Sequence, residues 1–292
     1  MNYQKAELAQ PFLAKLADLR EIKEPPVDEL WQIGSLPQAA GMAISIVGAR
    51  RCTKYGEDIA YRLAYALAEQ GAVIISGMAY GIDTAAHRGC LDAGGTTVAV
   101  LGTPIDKIYP QSNRSLAERI LQNGAILSEY SPETETRAWH FLHRNRIVVG
   151  LSDATIIVEA GERSGTQRTA QCAVELGRDL YAVPGDIMRP TSAGCNKLLK
   201  MGAHPIVGIE DFLIDLFGAS VVRRRRKNQQ LNQLSGLARQ IVHELEKGAC
   251  ASGELIERLK IDATDFNQQI SLLELSGIVQ SFGVSSWMLR PD

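Results

Sequence analysis

The chain has 292 residues, a formal net charge of −2, 45% hydrophobic residues and 22% charged residues. Those proportions exclude disorder, collagen-like repeats and a coiled coil, and no apolar run reaches the ~18 residues of a membrane span. A near-neutral balance excludes a histone-like polycation but leaves room for a local basic patch. Residues 1–20 mix charge with apolar side chains and lack the uninterrupted apolar stretch of a secretory signal. The five cysteines (Cys52, Cys90, Cys172, Cys195 and Cys250) are scattered, with no Cys-x-x-Cys. An odd, unspaced set argues against disulfides and structural zinc, and for a reducing, cytoplasmic setting.

Residues 1–42 read as a lead-in segment. Pro25-Pro26 and Pro37 break it into a short helix followed by irregular chain. Residues 43–218 then carry short apolar runs that end in small or polar residues: Ala43–Val47, Val73–Ile75, Val98–Leu101 and Ile156–Val158, with Ala125–Leu127 and Leu180–Val183 as further candidates. Runs this short, rich in Val and Ile and bounded by Gly, predict buried strands. Between them lie stretches of helical period, such as Ile59, Leu63, Ala66 and Leu67 on one face. The alternation predicts an α/β fold, an extended Rossmann-like, mostly parallel sheet with helices on both faces. Ligands of such sheets bind beyond the carboxyl ends of the strands.

Residues 219–233 form a basic, polar linker that includes Arg223–Lys227. Residues 234–292 contain three helical patterns: one through Leu237, Ile241 and Leu245, one capped by Ser252, and one through Phe266, Ile270 and Leu273 closed by Gly277. A two-stranded hairpin from Ile278 to Leu289 completes a small winged helix-turn-helix domain. From Gln230 to Asp292 there are 5 Lys/Arg and 8 Asp/Glu, a net −3, and the third helical pattern carries Asp262, Asp265 and Glu274 with no base. Duplex reading rests on basic phosphate contacts, so a packing or protein-contact role fits this unit better.

The chemistry sits after the strands. Gly48-Ala49-Arg50 offers backbone approach and a guanidinium fork, and reads equally as an ordinary turn. Ser76, Gly77 and Gly81 make an anion-binding nest at a helix start, with Asp83 as a cap or sugar ligand. Neither the dinucleotide fingerprint nor the triphosphate loop is present. His87 reads as a core or capping histidine. Phe141, Arg144, Asn145 and Arg146 combine an aromatic, two guanidiniums and an amide. That set grips single strands by stacking, or packs a core with the arginines paired to acids. Ser164 and Gly165, followed by Thr166 and Thr169, make a second nest after Ile156–Val158. Glu159 and Asp83 read as structural caps rather than as a catalytic acid pair. No metal cluster and no nucleophile elbow appears.

In their order along the chain these motifs resemble the DNA-processing protein A family, from about Leu19 to Phe217. The matching residues are the Val47-Gly-Ala-Arg50 turn, Ser76–Asp83, Val98–Gly102 with Asp106 and Tyr109-Pro110, Arg144–Ile147, Val158-Glu159-Ala160, Ser164-Gly165, Thr169-Ala170, Glu175–Arg178 and Ala182–Gly185. The resemblance implies a non-enzymatic protein, without cofactor, that binds single-stranded DNA, forms homodimers and loads the RecA recombinase during natural transformation. By that resemblance the strand-binding residues are Arg50, Ser76, Gly77, Gly81, Phe141, Arg144, Asn145 and Arg146, with Ser164, Gly165 and Lys200. This chain departs from the family pattern in three places. The helical N-terminal domain of longer members is absent or reduced to the first forty residues. Leu142 stands where proline is usual, and Gln167-Arg168 replaces a more apolar pair. The alternative is a nucleotide-processing phosphoribohydrolase or nucleotide-sensing module of the same architecture. The enzyme's Pro-Gly-Gly-x-Gly-Thr mark is broken here, in Ala160–Thr166.

Overall fold

The computed structural model describes residues 2–290 apart from 23, 39, 40, 223, 224, 226–229, 232, 233, 235 and 284. Two compact units divide the chain, Met1–Leu213 and Ile214–Asp292.

The first unit opens with β1 (Gln4–Lys5), α1 (Pro11–Ala14), a 3-10 segment (Lys15–Glu21) and β2 (Trp31–Gly34). The predicted strands follow as β3 (Ala43–Val47), β4 (Val73–Ser76), β5 (Thr97–Leu101), β6 (Ala125–Ser128), β7 (Ala154–Ile157) and β8 (Asp179–Ala182), with a short β9 (His204–Pro205). Between them run α2 (Lys54–Glu69), α3 (Ile82–Asp92), α4 (Arg114–Ile120), α5 (His140–His143), α6 (Asn145–Gly150), α7 (Gly165–Glu175) and α8 (Ala193–Lys200), and α9 (Ile209–Phe217) follows β9 and carries the chain into the second unit. The nine strands form one sheet in the order β1-β2-β6-β5-β4-β3-β7-β8-β9. Its strands from β6 through β9 pair in parallel, and β2 joins β6 antiparallel.

Each central strand is buried on both faces, as its continuous Val/Ile run requires. Val98, Val100, Leu127 and Ile157 pack with α1, the 3-10 segment, α6 and α7. Ala99, Leu101 and Ile126 point the other way, with Leu116 and Ile120 of α4. Polar groups inside this layer are paired: Ser45 Oγ donates to Thr155 Oγ1 at 2.9 Å across β3 and β7.

The irregular chain expected late in the lead-in is corrected here. Trp31–Gly34 is a strand on the edge of the sheet, and Phe12, Leu13, Leu16 and Leu19 enter the main core. Asp153 fastens this segment. One carboxylate oxygen meets Lys15 Nζ at 2.6 Å and the other accepts from Ala43 N at 2.8 Å.

The second unit contains α10 (Gly236–Leu245), β10 (Cys250–Ala251), α11 (Ser252–Leu259), α12 (Ala263–Leu275), β11 (Val279–Ser281) and β12 (Ser286–Leu289). Phe266, Ile270, Leu273, Ile241, Leu245 and Leu255 close its core. The hairpin gains a third strand, because β10 pairs with β12. Asp262 caps α12 by accepting from the Thr264 and Asp265 amides. The capping role expected of Ser252 is not seen: its Oγ donates to Ser285 O and accepts from Trp287 Nε1. Of the basic run Arg223–Lys227 only Arg225 lies among the described residues.

His87 is the core histidine expected. It is fully buried, and burial pushes its pKa down to about 3. Its Nδ1 lies 2.8 Å from Thr97 Oγ1, and that hydroxyl already donates to Ile74 O. The proton therefore sits on Nδ1. A histidine kept neutral in the fold but free to ionise when unfolded gives stability that is full above pH 6.5 and falls as the pH drops toward 3. The loss is about 1.4 kcal/mol per pH unit. Chemical denaturation at pH 7 and pH 5 should show the native chain losing about 2 kcal/mol more than the His87→Gln variant.

Candidate nucleic-acid interface

The order of the sheet reverses at β3, with β4 on one side and β7 on the other. This is the point where α/β sheets open a crevice. The chain leaves β3 through Gly48-Ala49-Arg50, and the Ala49 amide donates to Glu159 O at 2.8 Å. A Cβ on Gly48 would lie 2.7 Å from Ile82 Cγ1 and 2.9 Å from Glu159 O. Gly81, at φ +75°, lets the turn after β4 rest on the Ala49 and Arg50 carbonyls, where a Cβ would come within 2.4 Å. The Gly81 position is thus a packing requirement of the rim.

A cavity of about 360 Å³ opens at this crevice and brings together Arg50, Phe141, Arg144, Asn145, Ser164 and Gly165. Arg50 is exposed, and its guanidinium carbon stands 5.2 Å from the Phe141 ring centroid, a cation–π placement. Among the described residues no carboxylate lies within ion-pair distance of it. Phe141 is seated by Gly102, where a Cβ would touch the ring at 2.8 Å. Tyr109, half exposed, packs on Phe141 at 5.3 Å between centroids. Tyr109 was not picked out as a contact. Its signal was an aromatic just ahead of Pro110 and the polar run 111–113.

Several expected contacts face inward. Ser76 is fully buried and donates to Ile46 O at 2.6 Å. The nest that it begins is filled by the chain itself: one Asp83 oxygen accepts from the amides of Gly77 at 3.1 Å and Ala79 at 3.2 Å. Burial pushes the Asp83 carboxyl up, and the Arg144 charge opposes that rise. Arg144 is 3% exposed, and its Nη1 donates to Gly77 O and Val100 O at the ends of β4 and β5. Gly77 is glycine because a Cβ there would overlap this guanidinium, at 2.3 Å. Burial lowers the Arg144 pKa to about 10, so it stays charged at neutral pH.

Asn145 accepts from Arg144 Nε at 3.1 Å and donates to Thr169 Oγ1 at 2.9 Å, tying α6 to α7. Arg146 is 2% exposed and donates through Nη2 to Glu129, whose carboxyl is held below its ordinary range. Arg144 and Arg146 therefore spend donors on the fold itself. Both guanidiniums brace the rim from inside, and Arg50 is the one presented to solvent.

The second nest is open. Ser164 occupies the N-cap position of α7 with extended backbone, and its side chain makes no capping bond. Leu142, half exposed, leans on Gly165, where a Cβ would meet its Cδ2 at 2.4 Å. Arg168, the added charge noted in the sequence, pairs with Glu24 at 2.5 Å. Lys200 ends α8, exposed, and does not line this cavity. Glu159 caps the start of α2 by accepting from Thr53 N at 2.8 Å and Thr53 Oγ1 at 2.5 Å. Burial raises the thiols of Cys90, Cys172 and Cys195 to about 12, which keeps them unreactive. No described helix is long and apolar enough to cross a membrane.

Residues 11–217 match the family described as DNA recombination-mediator protein A. The chain is 38% identical over 256 residues to a DNA processing protein DprA of Mycobacterium tuberculosis, covering 86% of this chain and 66% of that one. The fold superposes on DNA processing protein A of Streptococcus pneumoniae with a TM-score of 0.66 at 36% identity, covering 73% of this chain and 74% of that one. It also superposes on the Helicobacter pylori protein, whose single-stranded DNA binding mode is described structurally. There the TM-score is 0.64 at 32% identity, with 74% and 96% covered. The chain spans between half and about seven tenths of the length of the curated relatives it matches. A match over more than half of the chain, on the fold expected from its strands, places this protein in the DNA recombination-mediator protein A family.

Proposed function

We propose that this protein binds single-stranded DNA at the crevice beside β3 and hands it to the RecA recombinase during recombination of incoming DNA, as a homodimer. The observation that carries the reading is the pairing of an exposed, uncommitted Arg50 with Phe141 beside the open start of α7. A guanidinium and a helix N-terminus take phosphates, and an aromatic face takes a base whatever its sequence. The single-stranded DNA binding described for the Helicobacter pylori relative supports this choice of ligand. RecA and the homodimer come from the family resemblance.

The winged-helix unit contributes no duplex grip on this reading. Its α12 presents Asp265 and Glu274 together with exposed Leu272 and Leu275, at 54% and 85%. The enzymatic alternative loses its best carboxylate, since Glu159 spends both oxygens on Thr53.

Titration of a labelled oligothymidylate tests the site. Arg50→Ala should weaken binding at least tenfold and lower the salt slope by about 0.7, the share of one phosphate contact. Phe141→Ala should cost about 1–3 kcal/mol, the worth of one stacked base. Equal affinity for duplex, or no dependence on salt, overturns the reading. Arg144→Ala should lower thermal stability and DNA affinity together, whereas Arg50→Ala should leave the melting temperature within ~1 °C of the native value, as expected of an exposed residue. Strand exchange by RecA on coated single strands should accelerate when the native chain is added and not with Arg50→Ala.

A further inference from the structure

Two histidines flank Phe141 and Leu142 on the four-residue turn of α5, and the strand-binding reading uses neither. His140 is 3% exposed and stacks on the Tyr130 ring at 3.9 Å between centroids. Trp139, half exposed, lies edge-on against both histidines, at 4.3 Å from His140 and 5.4 Å from His143. Hydrogen bonds fix which ring nitrogens are bare. His140 Nδ1 accepts from the Arg137 amide at 3.4 Å, and His143 Nε2 accepts from Arg146 Nε at 3.3 Å. A backbone N–H and a guanidinium N–H only donate, so neither bond can reverse. Each imidazole is therefore held in its neutral form, with its proton on the other nitrogen. On His143 that nitrogen, Nδ1, stands 3.2 Å from Tyr130 Oη. A second proton on either ring sets donor against donor and removes one bond from the turn.

The surrounding charges set the balance against that proton. Burial holds His140 below the usual histidine range, the Arg137 and His143 charges act the same way, and Glu129 opposes them. Glu129 also stands 3.3 Å from His143 Nδ1, but its other oxygen already answers Arg146. Tyr130 stays uncharged, its hydroxyl pushed up to about 12 by burial. Across the cavity that His143 lines, Glu24 and Arg168 neutralise each other at 2.5 Å. A helix of one turn has too few bonds of its own to hold itself, so contacts of this kind decide whether it stays formed.

We infer that His140 and His143 are positioning residues for the strand site. Uncharged, they hold the turn that presents Phe141; protonation of either loosens that turn and weakens the grip on a strand. The effect on DNA rests on the DNA-binding reading above. The loosening of the turn does not.

Oligothymidylate titration of the full chain at pH 7.5 and pH 5.5, at constant ionic strength, tests it, because thymine and phosphodiester do not ionise in that range. A histidine held neutral in the fold loses its contribution as the pH falls below about 6.5. The native chain should bind about fivefold more weakly at pH 5.5, the worth of one hydrogen bond. In the double variant His140→Asn/His143→Gln, amide oxygens stand in for Nδ1 and Nε2 and take up no proton. Its two affinities should agree within about twofold, half the native effect or less. Hydrogen exchange gives a readout without DNA. The His143 and Arg144 amides donate to Trp139 O at 3.0 Å and His140 O at 2.9 Å. Corrected for intrinsic exchange, their protection in the native chain should fall about fivefold between the same pH values while the α7 amides keep theirs. An affinity ratio equal in the native chain and the double variant, or α5 protection that does not change with pH, overturns the inference. Where the double variant does not fold, the native exchange pattern alone decides. Should α5 protection fall as stated while no strand binds at either pH, the proton-sensitive turn stands and the proposed function falls.

Discussion

A single buried guanidinium holds the functional edge of this sheet. Arg144 lies out of solvent, and a charge so placed is tolerated only when its donors are satisfied and an opposite charge is near. Two strand-end carbonyls, the Asn145 amide oxygen and the Asp83 carboxylate nearby meet both needs. In exchange, the ends of β4 and β5 are locked to the segment that carries Phe141. Gly77 is the steric condition for that lock. With Arg144 and Arg146 committed inside, Arg50 stands exposed above the aromatic ring.

The parallel strands were legible because each is a short Val/Ile run closed by a small or polar residue. The edge strands were not. Trp31–Gly34 is half-exposed and only four residues long, between proline-bearing stretches. Gln4–Lys5 and Cys250–Ala251 are two-residue pairings that carry no period at all. Pairing of this kind is set by what lies opposite, and sequence order does not disclose it.

The site was legible in its membership and less so in its roles. Arg50, Phe141, Asn145, Ser164 and Gly165 do converge on one cavity. The nest at Ser76-Gly77 looks the same in sequence whether it holds a guest anion or a carboxylate of its own chain, and here the carboxylate is six residues downstream. The Arg144-Asn145-Arg146 segment reads equally as a strand contact or as arginines paired to acids, because the partners seen here, the carbonyls of Gly77 and Val100 and the Glu129 carboxylate, lie 17 to 67 positions away. His87 and Glu159 were read correctly, since a lone histidine on an apolar helix and an acid just after a strand most often serve the fold.

Asp83 has a bearing on how fast the crevice can work. Its own carboxylate stands where an outside anion would otherwise be needed, so the loop after β4 is held in shape without a guest. On the proposed function, a strand arriving there would meet a finished surface and spend little entropy on ordering its host. On the proposed single-strand reading, such a surface could let go of one stretch and take the next without refolding.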